Sequence, residues 1–151
     1  MAFLTKDDLK SGIRDYNLNA ITDNDDTIAQ RAIDAGIEEV SSSLVANDKK
    51  EWYEGQFRYD VDAIFSAEGD ERNQLMVTNT VTVTLWHLVG LCNTGMDYKD
   101  LQDRYDRAIK YIRDLASGKN NSRSLPRITT PPPTDQQPFA MGSRPKFNHD
   151  Y

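Results

Sequence analysis

Two histidines, one cysteine and 24 carboxylates are the groups through which this chain could do acid–base, metal or thiol chemistry. His87 lies in an apolar run and His149 close to the C-terminal end. Neither has a second His, a Cys or a carboxylate at the spacing that puts two metal ligands on one face. Cys92 stands five residues after His87, off a shared helix face, and reads as a buried structural thiol. Asp23, Asp25 and Thr27 imitate the opening of a calcium loop, but its sixth position is Ile28 instead of Gly and its twelfth is Asp34 instead of Glu. There is no Gly-rich phosphate loop, nucleophile elbow or Cys-x-x-Cys, and no base or nucleophile stands out among the acids. These residues predict no enzyme, no metal and no cofactor.

The elements that would position any site read as helices. Thr5 and Asp8 match a capping box, with Leu4 and Leu9 as its hydrophobic staple, so a short helix is expected from Lys6 to about Gly12. Asp15 to Asp26 is rich in Asn and Asp and predicts turns. A second helix follows, because Ile28, Ala32, Ile33, Gly36, Ile37, Val40 and Leu44 recur at three- and four-residue steps. Gly36 lies on that stripe, which suggests a close helix crossing. The third segment, Glu71 to Cys92, has two readings. Val77, Val81, Val83 and Leu85 alternate with threonines as in a strand, whereas Leu75, Met76, Asn79, Val83, Trp86, Val89 and Gly90 keep helical spacing. The absence of an internal turn signal over that length favours the helix. The fourth helix has a cap pair, Asp97 and Asp100, and a stripe of Leu101, Tyr105, Ala108, Ile112 and Leu115, with Gly118 at its stop. Asp100–Arg104, Asp103–Arg107 and Asp106–Lys110 are acid-first pairs four apart, the mark of a solvated face.

Two stretches do not fit a plain bundle. Between the second and third helices, Asp48 to Asn73 carries Trp52, Tyr53, Phe57, Tyr59 and Phe65. These rings could fold back as a lid on the core or form a contact surface, since exposed aromatics anchor interfaces. All six prolines fall at or after Pro126. Residues 1–118 hold 13 basic and 22 acidic side chains, a net of −9, while residues 119–151 hold five basic and two acidic, a net of +3. The expected organisation is therefore a helical body, 1–118, and an extended basic tail, 119–151. Pro131-Pro132-Pro133 favours a polyproline II path. The tail reads either as a disordered extension or as an arm that orders only on another subunit. The spaced anchors Phe139, Met141, Phe147 and Tyr151 favour the arm, because a mere spacer needs no aromatics, and Arg123, Arg127 and Pro131 join them as candidate interface residues. On this reading, deleting 119–151 weakens assembly and leaves the helix content of the body intact.

Composition narrows the partners. A net charge of −6 argues against gripping a phosphate backbone with the whole surface. A mean hydropathy of −0.70 and the lack of a long apolar run argue against a membrane span. The segment Met1 to Lys6 has no basic flank and no apolar stretch, so secretion is not expected.

The order of features resembles a known family. Phe3-Leu4-Thr5-Lys6-Asp7-Asp8-Leu9 leads to Ile21-Thr22-Asp23 and the Ile28–Leu44 helix. Asp60-Val61-Asp62-Ala63-Ile64-Phe65 and Gly69-Asp70-Glu71-Arg72-Asn73 follow, and Tyr98 to Gly118 closes the body. This resembles the small head–tail adaptor, or connector, proteins of tailed bacteriophages, especially those of Mu-like prophages, over roughly residues 1–125. The resemblance implies an all-α fold: a small bundle of about four helices, with an aromatic-rich insertion between helices 2 and 3 and a Pro-rich C-terminal arm. It also implies a virion structural protein of the head–tail neck, made in the host cytoplasm. Typically twelve copies form a ring below the portal protein and beside other neck or tail-completion proteins, and DNA passes through without specific binding. The family carries no catalytic residues to transfer. The alternative is a cytoplasmic helical binding module whose tail is a linear motif for a polyproline-reading partner.

Overall fold

The computed structural model describes residues 2–45, 58–91 and 97–128. Among them the chain is mostly helical, with six α-helices and no strand. The first, α1 (Lys6–Leu9), is held by the expected capping box: Asp8 N donates to Thr5 Oγ1 and Thr5 N to Asp8 Oδ2 at 2.7 Å.

Where turns were expected, α2 (Asp15–Thr22) forms. Leu18 and Ile21, three apart, are buried, and the buried Thr22 hydroxyl donates to the Leu18 carbonyl at 3.0 Å. Burial of this face outweighs the turn preference of its Asn and Asp residues. Asp23 and Asn24 then take left-handed backbone (φ 49 and 57), which their short polar side chains tolerate. The turn chemistry read in the sequence is thus confined to the end of α2.

Helix α3 (Asp26–Val45) starts at Asp25, whose carboxylate accepts from both the amide and the hydroxyl of Thr27. Of the expected stripe Ala32, Ile33, Gly36, Val40 and Leu44 are buried and Ile28 and Ile37 partly so, while Ala29 joins the buried face. The aromatic stretch yields α4 (Val61–Ser66), capped by Asp60, and a 3₁₀ turn at Gly69–Glu71.

Helix α5 (Gln74–Leu91) resolves the ambiguity of the third segment in favour of a helix. Asn73 caps it, its side chain accepting from Met76 N at 3.0 Å. The strand-like pattern has a physical cause. Met76, Val77, Thr80, Val81, Val83, Thr84, Leu85, Leu88 and Val89 are buried around most of the helix, so no single apolar stripe remains to be read. Thr78, Thr80 and Thr82 send their hydroxyls to the carbonyls four residues back, at 2.8–3.0 Å, which lets threonine occupy a helix interior.

Helix α6 (Tyr98–Ala116) begins at Asp97 and ends before Gly118, which has φ 77. Asp100 and Arg104 pair at 2.8 Å, whereas the Arg107 guanidinium donates to the Asp103 backbone carbonyl instead of its carboxylate. Helices α3, α5 and α6 pack against one another as the central layer, and the shorter helices α1, α2 and α4 lean on it.

The expected four helices are therefore six. The expected boundary at residue 119 also shifts, because residues 119–128 lie on the body. Leu125 is buried, Asn73 Nδ2 donates to Ser124 Oγ at 2.6 Å, and Asp60 N donates to the Pro126 carbonyl. Tyr59 and Arg127 form an isolated antiparallel bridge. No helix among the described residues is long and apolar enough to cross a membrane.

Candidate functional site

Three helices converge on one carboxylate. Glu39 of α3 lies one position from Val40 on the buried stripe, so it sits where that stripe meets water. His87 of α5 places Nε2 at 2.6 Å from Glu39 Oε2, and the Tyr105 hydroxyl of α6 donates to Glu39 Oε1. All three side chains are partly buried. The Tyr105 ring stacks on Trp86, with centroids 5.2 Å apart and planes at 26°. Burial first, then the hydrogen bond to Glu39 and its negative charge, push the Tyr105 phenol up to about 12. Tyr105 is thus a proton-holding donor at neutral pH, and Glu39 accepts from two sides. The cluster ties the central helices together with hydrogen bonds to a charged group, each worth about 1.5–3 kcal/mol.

Beside it opens a cleft of about 390 Å³, lined by Arg31, Ala35, Trp86, His87, Gly90, Leu91 and Tyr98. Leu91 and Tyr98 are 59% and 45% exposed, unusual values for large apolar side chains next to one another. His87, held by Glu39 behind it, forms part of the lining, and Arg31, also in the lining, is exposed.

A second cluster joins the start of the chain to the segment before α5. Arg72 Nη1 donates to the Phe3 carbonyl at 2.8 Å and to Asp8 Oδ2 at 2.9 Å, while Nη2 reaches Asp8 Oδ1 at 3.2 Å. This bidentate geometry suits a guanidinium and a carboxylate. Burial by itself would raise the Asp8 carboxyl. The hydrogen bonds from Arg72 and Thr5 outweigh it and hold the group below its ordinary range.

The predicted site residues separate into three groups. Tyr59 and Phe65 are taken up by the body. Tyr59 is 7% exposed and its hydroxyl accepts from Ser122 N at 2.8 Å, and Phe65 meets Phe3 edge-on at 4.8 Å. These two rings pack against the core, Tyr59 buried and Phe65 partly so. Arg127 donates to the Ser122 carbonyl at 2.7 Å, next to Tyr59, whereas Arg123 is exposed. Trp52, Tyr53, Phe57, Pro131, Phe139, Met141, Phe147 and Tyr151 lie outside the described residues. Among the described residues, no group of three or more His, Cys, Asp or Glu side chains could hold a metal ion. Asp25, the centre of the calcium-loop imitation, spends its carboxylate on Thr27; those bonds hold it below its ordinary range.

Sequence reading missed the Glu39–His87–Tyr105 cluster because its members are 48 and 66 positions apart. One signal was present: a tyrosine at position 105 on the apolar stripe of α6 brings a hydroxyl to the core that must find a partner. The chain matches no known protein family, no curated protein and no solved structure.

Proposed function

We propose that this chain is a virion structural protein, a head–tail connector subunit that forms a ring below the portal of a tailed bacteriophage. The resemblance rests on the order of elements and on the closing helix, and the observation that supports it is a contact between two of the segments it includes. Phe3–Asp8 and Gly69–Asn73 meet through the Arg72 clasp, so these segments act as one structural unit. An all-α body with a closing helix that ends at Ala116, just before Gly118, also agrees with it.

A ring is closed by head-to-tail contacts, in which two different patches of one subunit meet on neighbours. The patches assigned here are the segment of Trp52, Tyr53 and Phe57 and the tail from Pro131 to Tyr151, with Arg123 on the adjoining surface. Lys119, Arg123 and Arg127 lie on the body, and residues 129–151 hold two basic and two acidic side chains, so this arm would be held on another copy by its prolines and aromatic rings and not by net charge. An acidic bore would repel DNA and let it slide.

The test is mass measurement in solution, followed by negative-stain imaging of the chain alone and with a portal protein. Rings with a central hole are the expected result. A chain that stays monomeric at all salt and protein concentrations, and is not captured by a portal, overturns the reading in favour of the binding module.

A further inference from the structure

The cleft between α3, α5 and the start of α6 has the chemistry of a polyproline receptor. Polyproline II segments have a fully solvated backbone whose proline carbonyls accept hydrogen bonds and whose rings pack on aromatic faces. Trp86 and Tyr98 supply the faces, Leu91 adds exposed apolar surface, and the cleft volume of about 390 Å³ is in the range that holds a short ligand segment. Among the described residues, the Trp86 indole N–H and the Tyr98 hydroxyl have no hydrogen-bond partner, so both remain to serve incoming carbonyls.

The chain carries a matching ligand. Pro131-Pro132-Pro133-Thr134-Asp135 begins three residues after Ile128, whose amide is fixed to the Arg58 carbonyl at 2.8 Å. Its only charge, Asp135, follows the last proline by two residues, roughly 6 Å at the polyproline rise. The cleft presents the opposite charge in its lining, Arg31. We propose that residues 131–135 of one copy dock in the cleft of a second copy, with the prolines on Trp86 and Tyr98 and Asp135 on Arg31. This rests on the self-association put forward above and specifies the surface that the arm takes.

The test uses the full chain with Thr134 replaced by a photoreactive benzoylphenylalanine, prepared in isotopically light and heavy forms and mixed. Cross-links from position 134 to Trp86–Leu91 or Tyr98 that join a light to a heavy chain are expected. Cross-links confined to single chains, or mapping outside the cleft, overturn the proposal. In the same assay Arg31→Glu and Asp135→Arg each lower the inter-chain yield by about threefold, as an exposed ion pair would, and the two together restore it. Single variants with wild-type yield, or a double variant without recovery, also overturn it. Imaging of the same samples with a portal keeps the two ideas apart. Rings with cross-links outside the cleft sink the docking alone, whereas cleft cross-links without rings sink the connector reading and leave the docking in place.

Discussion

Gly36 of α3 lies against Thr84 of α5 so closely that a Cβ on the glycine would fall 2.3 Å from Thr84 Oγ1 and 3.0 Å from its Cα. The second contact is with backbone, so rotation of the threonine cannot relieve it. The interface between the two long helices is thus set by the absence of one carbon.

Gly36→Ala therefore pushes α3 away from α5. Overpacking of this kind costs about 1–3 kcal/mol, and the helix preference of alanine returns only about 1. A net loss of up to about 2 kcal/mol is expected in denaturant unfolding. Gly90→Ala is the control: nothing lies within 4 Å of its would-be Cβ, so a gain of about 0.5 kcal/mol is expected near the helix end. Equal effects at both positions would refute the close-crossing account.

This crossing was legible in the sequence, because a glycine on the apolar stripe of a long helix has few other reasons to be there. Helices α3 and α6 were legible for the same reason: each has one wet face, so Val40 and Leu44, or Leu101 and Ile112, stand out against polar neighbours. Helix α5 is enclosed on most sides and loses that contrast. Helix α2 was hidden by local preference, since Asn17, Asn19 and Asp23 speak for turns while the burial of Leu18 and Ile21 is decided by distant partners. The Glu39–His87 contact depends on how two helices rotate against each other, which local spacing does not encode.

The Arg72–Asp8 clasp makes a pH prediction. Its folded carboxyl is held below the ordinary value of 3.8, so the unfolded chain binds the proton more readily and stability rises with pH across that range. The contribution is complete above about pH 5 and is lost as pH falls through the folded value. Arg72→Met removes the guanidinium and leaves Asp8 partly buried without its partner. A loss of about 2 kcal/mol at neutral pH is expected, less than for a fully buried pair because both side chains keep some contact with water. In acid the gap between variant and wild type should close. A constant gap between pH 3 and 7 would show that packing, and not charge, holds the clasp.

Tyr105 predicts a change at the opposite end of the scale. Its phenol is raised from 10.0 to about 12, so the folded state holds the proton where the unfolded state has released it. Stability is unaffected below about pH 10 and declines as pH rises from there towards 12. In ultraviolet titration of the folded protein Tyr105 should ionise near pH 12, while Tyr111, raised by its own burial, is a second delayed phenol; Tyr105→Phe should remove the step near 12 and leave that of Tyr111. The same variant deprives Glu39 of a donor and should cost about 1.5–3 kcal/mol at neutral pH. A step near 12 that survives in Tyr105→Phe would assign it to another residue.

The seam formed by Tyr59 and residues 119–128 divides the tail into a part that belongs to the body and a part beyond it, and two truncations separate them. Ending the chain at Gly118 removes the buried Leu125, the donor to the Tyr59 hydroxyl and the backbone bonds of Asp60 and Ile128. Burial of a leucine is worth about 1.5–3 kcal/mol, and each lost hydrogen bond adds about 1. Such a chain should lose about 4–6 kcal/mol and fray at α4. Its loss of assembly would then say nothing about the arm. Ending the chain at Ile128 keeps every one of these contacts, so its unfolding midpoint should match the full chain while the inter-chain link is abolished. If this longer truncation unfolds as early as the shorter one, residues 129–151 stabilise their own body, and an arm that serves only its neighbours is ruled out.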